Sequence, residues 1–196
     1  MRIVHVDDRL VVIDKPAGLL SVPGRTEPDC ASARVQALYP DALIVHRLDQ
    51  ATSGLLLFAR GTQAQRELSA DFAQRRADKV YVAIVAGQLD GDGLIDLPLA
   101  ADWPNRPRQQ VDHASGKPSQ TRWRALGHDA CTTRVRLEPL TGRSHQLRVH
   151  MATLGHAILG DALYAAPDIA VAAPRLLLHA SELRIAGHHF LCPPEF

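Results

Sequence analysis

The chain has 196 residues, 46% hydrophobic and 22% charged. That suffices for a single domain burying roughly 70% of its unfolded surface and leaves no room for a second full domain. No run of about 18 apolar residues exists, and the amino terminus MRIVHVDDRL is charged where a signal peptide needs an apolar core, so a soluble, cytoplasmic protein is expected rather than a membrane or secreted one. The net charge of +1 hides an uneven distribution: residues 1–99 carry −2, residues 100–150 carry +5 and residues 151–196 carry −2. Of 22 cations, 19 are arginine, whose planar fork binds phosphate in a bidentate way and stacks on bases. Cys30, Cys131 and Cys192 are far apart and in no CxxC arrangement, which argues against a disulfide framework and a zinc site. Three reduced, mostly buried thiols are expected.

Residues 3–13 alternate and break at Asp7-Asp8-Arg9, which predicts a hairpin leading into the loop KPAGLLSVPG. Asp29 is placed to cap a short helix ending before Pro40. LLLF (55–58) reads as a buried strand. Thr62 with Gln65 forms a capping-box pattern, and Ala64, Leu68 and Phe72 give the following helix a buried stripe. VYVAIVAG (80–87) is strongly strand-like, and stretches at 94–97, 120–126 and 132–138 follow as strands, with turns at Gly91–Gly93 and Gly127–Asp129. Ser144 is placed to cap a helix running to Leu154 with Gly155 as its stop, before LLLHASELRI (176–185) returns as a strand. Several strands follow one another without intervening helices, so the expected class is α+β: one domain, with a mixed, largely antiparallel sheet flanked by helices.

Three places carry chemistry. His46-Arg47-Leu48-Asp49 is a polar stretch fed into the apolar strand at 55, where a partly desolvated aspartate suits a nucleophile or general base; the plain alternative is an Asp capping the turn at Thr52-Ser53-Gly54. TGRSHQLRVH (141–150) opens a helix with Leu147, Met151 and Leu154 as its buried stripe and His145 and Arg148 on a neighbouring face. An arginine there can pair with a buried carboxylate, Asp49 being the partner considered, or face solvent or phosphate. Tyr81 opens its strand and is either core packing or a ring for stacking and proton transfer. A metal site drawn from His145, His150, His156 and Asp161 is disfavoured, because a spacing of five residues turns the two helical histidines about 140° apart. A P-loop is rejected, since Val111 stands where Gly is needed before Gly116-Lys117 and Pro118 replaces the Ser/Thr.

HRLDQATSGLLL (46–57) resembles the signature of the RluA family of RNA pseudouridine synthases. KPAGLLSVPG, KVYVAIVAG, TGRSHQLRVHMATLGHAILGD (141–161) and LLLHA (176–180) match in the family's order across nearly the whole chain, and DWPNRP (102–107) with GKPSQT (116–121) resembles the RluA branch itself. The resemblance implies that Asp49 is the essential carboxylate, Tyr81 the active-site tyrosine and Arg148 the arginine pairing with Asp49. It further implies that Arg47 enters the RNA stack and holds the target base outside it, with His46, Arg143, His145 and Gln146 as accompanying RNA-contact residues. Leu147, Ile158 and Leu176–Leu178 are the matching candidates for a dry pocket wall. Ala157 departs from the proline usual in the family, and the chain begins close to the catalytic domain, without the small amino-terminal RNA-binding domain of several relatives.

What is implied is isomerisation of uridine to pseudouridine in structured RNA, the branch's substrates being large-subunit (23S) ribosomal RNA and the tRNA anticodon stem-loop. No cofactor, no metal, no membrane and no obligate protein partner are expected, and the default is a monomer. A non-catalytic RNA-binding or chaperone module and a nucleosidase-like hydrolase stay as alternatives.

Overall fold

The computed structural model describes residues 1–196. In chain order it contains β1 (Arg2–Val6), β2 (Leu10–Lys15), α1 (Ala31–Gln36), β3 (Ala42–Ile44), β4 (Ser53–Arg60) and α2 (Gly61–Ala73). Then come β5 (Asp78–Ala86), β6 (Asp92–Asp96), β7 (Leu99–Ala101), β8 (Gln109–Val111), β9 (Gln120–His128) and β10 (Thr132–Pro139). The chain ends with α3 (Gln146–Thr153), α4 (Pro167–Ala170), β11 (Leu178–Ile185) and β12 (His188–Leu191). The class is α+β, as the run of strands predicts, and the chain divides into two compact units.

The first unit comprises residues 1–79 and 179–195. Its strands run β1-β2-β4-β11-β12, with β3 also on β4; β4 and β11 pair in parallel and the other neighbours are antiparallel, so the sheet is mixed. β2 and β4 are continuous apolar runs because nearly every residue in them is buried, including Leu10–Ile13 and Leu55–Ala59. Leu10, Val12, Leu55, Leu57, Leu68, Leu183 and Phe190 share one core, and α2 supplies Ala64 and Leu68 to it as its stripe predicts. Two expected caps are corrected. α1 is capped by Cys30, whose sulfur accepts from the Ala33 N–H at 3.4 Å, while Asp29 pairs with Arg34 Nε at 2.7 Å. At α2 the residue ahead of the helix is Arg60, which makes no capping bond, and the Gln65 amide donates instead to the Ile44 carbonyl.

The second unit comprises residues 80–178 and Phe196. β5, β10, β9 and β6 are neighbours in that order, all antiparallel, and β7 and β8 form a separate hairpin. On β5 and β10, Tyr81 stands opposite Leu137, Ala83 opposite Val135 and Val85 opposite Thr133, an alternation that puts these side chains on one face. α3 differs from its expected stripe: Gln146 through Met151 are all buried, so the helix has no solvent face along most of its length, while Leu154 lies past its end and is exposed. Ser144 does not cap α3; that place belongs to His145. Cys131 is exposed whereas Cys30 and Cys192 are buried, and all three thiols are free. No helix is long and apolar enough to cross a membrane.

Candidate active site

In the first unit, HRLD is an irregular link between β3 and β4, held by the KPAGLLS loop. Lys15 has no exposed surface, and its ammonium donates to the carbonyls of Pro16, Leu19 and Gln50 at 2.9, 2.8 and 3.2 Å. Burial pushes the Lys15 pKa down to about 8, and the charge of Asp49 opposes that shift. Ser21 Oγ donates to the Leu48 carbonyl at 2.7 Å and accepts the Leu48 N–H at 3.1 Å. The Gly18 N–H reaches the Gln50 carbonyl at 2.8 Å, and the Gln50 side chain returns a bond to Gly18. The residues on either side of Asp49 are thus fixed by main-chain hydrogen bonds, and Asp49 itself is half-buried. Behind them, Gly54 (φ +109°) lies so close to β11 that a Cβ would sit 2.3 Å from the Ala180 carbonyl oxygen, which only glycine permits. Ser53 Oγ bonds His179 Nδ1 at 2.8 Å, and His179 Nε2 reaches the Cys192 carbonyl at 2.9 Å.

His46 is part of this support. Its Nε2 accepts the Leu57 N–H of β4 at 2.9 Å, and its ring stacks on Phe72 of α2, centroids 4.4 Å apart. Burial, then the charge of Lys79, pushes its pKa from 6.5 down to about 3, so the ring is neutral, as an acceptor must be. The unfolded chain takes up this proton near pH 6.5 and the folded chain does not until about pH 3. Stability therefore falls as pH drops through that window, with a slope approaching ~1.4 kcal/mol per pH unit. Urea unfolding at pH 7 and pH 4.5 checks this: the stability advantage of wild type over His46→Gln should shrink at the lower pH, and a constant gap would show that His46 does not carry it. Arg47, next along, is exposed and makes no hydrogen bond or ion pair.

In the second unit, the TGRSHQLR segment is latched from inside. Gln146 is buried; its Oε1 accepts from Thr141 Oγ1 at 2.7 Å and from the Arg143 N–H at 3.1 Å, and its Nε2 donates to the Gln120 carbonyl and Thr121 Oγ1. The Arg143 side chain is left pointing outward, exposed. His145 enters α3 in the left-handed region (φ 54°), and its Nδ1 meets the Tyr164 hydroxyl at 2.6 Å. That hydroxyl also accepts the Gln109 N–H at 2.8 Å, tying the β7–β8 hairpin to the entrance of α3.

Arg148 is 5% exposed and grips Asp161, 1% exposed, through Nε at 2.8 Å and Nη2 at 2.6 Å. Asp161 Oδ1 further accepts the N–H groups of Leu163 and Tyr164. Gly160 (φ +76°) passes so close to the Arg175 carbonyl that a Cβ would stand 1.9 Å from its oxygen, and this approach delivers Asp161 to the arginine. The loop before it is fixed to β5 by the Ala86 N–H on the Ala157 carbonyl and the Leu159 N–H on the Ile84 carbonyl. Tyr81, on that same strand, is half-buried. Ile158, Leu176 and Leu178 are buried.

Sequence reasoning missed the residues that hold the named ones. Lys15 and Ser21 lie in a motif that gives them no role by residue type, Asp161 reads from the sequence as a metal-ligand candidate, and Tyr164 carries no sequence signal. The other groups of that metal set bond to protein as well: His150 to Thr121 and the Leu97 carbonyl, His156 to the Ala86 carbonyl.

The profile of the family described as RNA pseudouridylate synthase matches residues 9–153. The chain belongs to this family. The RNA pseudouridylate synthase match spans both HRLD and TGRSHQLR, whereas Asp161 and Tyr164 lie beyond it. The chain is 53% identical over 187 residues to the dual-specificity RNA pseudouridine synthase RluA of Escherichia coli (strain K12), covering 93% of this chain and 85% of that one. It is 48% identical over 206 residues to the protein of the same name from Yersinia pestis, covering all of both. Among solved structures, human RNA pseudouridylate synthase domain containing 1 superimposes with a TM-score of 0.85 at 27% identity, covering 99% of this chain and 83% of that chain.

Proposed function

We propose that this pseudouridine synthase converts uridine to pseudouridine in stem-loops of 23S rRNA and in the tRNA anticodon stem-loop, without a cofactor, as a cytoplasmic monomer. The observation that carries the activity is the family match over residues 9–153 with the HRLD string intact and Asp49 half-buried on a loop clasped by Lys15 and Ser21. Both RNA classes are supported by the name shared by the relatives, which are called dual-specificity.

The reaction breaks the N1–C1′ bond, turns the uracil, joins C5 to C1′ and removes the C5 proton. Atoms and electrons are conserved, so the protein must supply access to the base, a carboxylate at the reacting centre and retention of the freed uracil. Asp49 is assigned as the nucleophile or base, Arg148 as the cation that holds its charge, and Tyr81 as the ring that stacks on the base and accepts the C5 proton. Arg47, exposed and without a protein partner, suits insertion into the RNA stack when the uridine leaves it. Flipping costs a few kcal/mol and least for a poorly stacked loop base, which favours hairpin-loop targets. Phosphate contacts from the basic 100–150 stretch, Arg143 included, offset that cost.

Incubation with unmodified tRNA and 23S rRNA hairpins, followed by carbodiimide treatment and primer extension, should create a stop at a loop uridine. Binding without a stop would make the chain a binding module, and release of free uracil would make it a hydrolase. In the same assay Tyr81→Phe should bind RNA as wild type does while turnover falls by ~10²-fold or more; undiminished turnover removes the proton-transfer role.

A further inference from the structure

The hairpin β7–β8 carries a feature that neither the fold nor the reaction above uses. Trp103 lies in its connecting turn and is 68% exposed, the largest side chain among the exposed hydrophobic residues. The turn is rigid. The Asp102 N–H bonds the Arg108 carbonyl at 3.0 Å, the Arg108 N–H bonds the Asn105 carbonyl at 3.0 Å, and the Asn105 side chain donates to the Asp102 carboxylate at 3.0 Å. Pro104 and Pro107 restrict it further. On this support the Arg106 guanidinium lies 3.3 Å from the centre of the Trp103 ring. Residues 103–108 are all exposed, so the pair is presented to solvent as a flat aromatic-and-cation stack.

An indole this exposed contributes little to the core, and the hydrogen-bonded tip leaves it available for contact. Charge selects the partner class. Arg106 covers the ring and Arg108, two residues on, lies over the Tyr164 ring at 5.6 Å; the single acid of the turn, Asp102, is engaged by Asn105, and residues 100–150 carry +5. Single-stranded RNA is recognised by stacking unpaired bases on aromatic rings and guanidinium planes, with arginines on the adjoining phosphates.

We propose that Trp103 and Arg106 form a stacking platform for an unpaired base of the RNA loop other than the target uridine, with Arg108 on the adjoining phosphate. This rests on the RNA-substrate reading. Because the stem of the hairpin is fixed through Gln109 and Tyr164 to His145, a base held at the tip also fixes the RNA relative to the TGRSHQLR segment.

The test uses an unmodified tRNA anticodon stem-loop transcript as the probe. Trp103→Ala should raise KM by roughly 5- to 150-fold, the range for losing one stacked base, with kcat unchanged and the melting temperature unmoved. Trp103→Phe should recover most of the KM. Adding the transcript should quench tryptophan fluorescence in wild type and leave it unquenched in Trp103→Phe. Unchanged KM in the alanine variant together with no quenching overturns the platform even where pseudouridine is formed. Weakened binding and lost quenching in a protein that forms no pseudouridine would keep the platform and defeat the catalytic assignment. Quenching by a protein ligand but not by the transcript overturns it in favour of a protein-docking surface.

Discussion

Asp49→Asn should leave the protein folded and able to bind RNA while lowering turnover by ~10⁴-fold or more, the scale on which loss of an essential acid–base or nucleophilic group is felt. Asparagine has the same shape, and the bonds that set this loop run through the carbonyls and N–H groups of Leu48, Gln50 and Thr52, none of which the substitution touches. These main-chain bonds persist in the variant, so thermal unfolding should remain cooperative. RNA affinity should hold or rise, because a negative charge is removed from a surface that meets phosphates. Single-turnover assays with filter binding and thermal unfolding on the same preparation separate the three quantities. A variant within tenfold of wild type would remove Asp49 from the chemistry.

Asp161→Ala should strongly destabilise the second unit. It strips a buried arginine of its bidentate partner and leaves the N–H groups of Leu163 and Tyr164 without an acceptor. Losing that bidentate bond and the shared acceptor of two N–H groups costs about 3 kcal/mol, which for a chain of this size lowers the melting temperature by roughly 10 °C. Removing both charges, as Arg148→Met with Asp161→Leu, should restore part of that loss, since an apolar pair of similar volume replaces a desolvated ion pair; the two orphaned N–H groups keep the recovery incomplete. Turnover should stay absent in the double variant, because Arg148 is assigned to hold the charge of Asp49. A double variant no more stable than Asp161→Ala would mean that the ion pair is not what the single change disturbs, and full activity in it would remove Arg148 from the reaction.

What was legible in the sequence follows from how far each signal extends. β2, β4, β5, β9 and β10 are long apolar or alternating runs, and such runs declare themselves. β3, β7, β8 and β12 are three or four residues long, too short for a period, and exist because a neighbouring strand completes their hydrogen bonds. Caps failed for a related reason. Asp29 and Ser144 are good capping residues by type, but Arg34 recruits the first, and a buried Gln146 closes the loop around the second. At the candidate site, the motif strings point to Asp49, Tyr81 and Arg148, the residues proposed for the chemistry. Their supports stayed hidden: a lysine in a glycine-containing loop reads as solvated until three carbonyls are found converging on it, and only the fold brings Gly160 against Arg175.

The parallel partner of β4 lies far along the chain: Ser53 and His179 are bonded across 126 positions. A ribosome making this protein therefore exposes the aspartate loop, β2 and β4 long before the strand that seals them exists. Closure of so distant a pair carries a large loop entropy and is slow. During that interval Ser53 and Gly54, the start of β4, lack their partner strand, although β2 and β3 already pair with the rest. The nascent protein holds its HRLD string intact but unsupported, and a message truncated before β11 yields a chain that carries the whole HRLD signature without the strand that braces it.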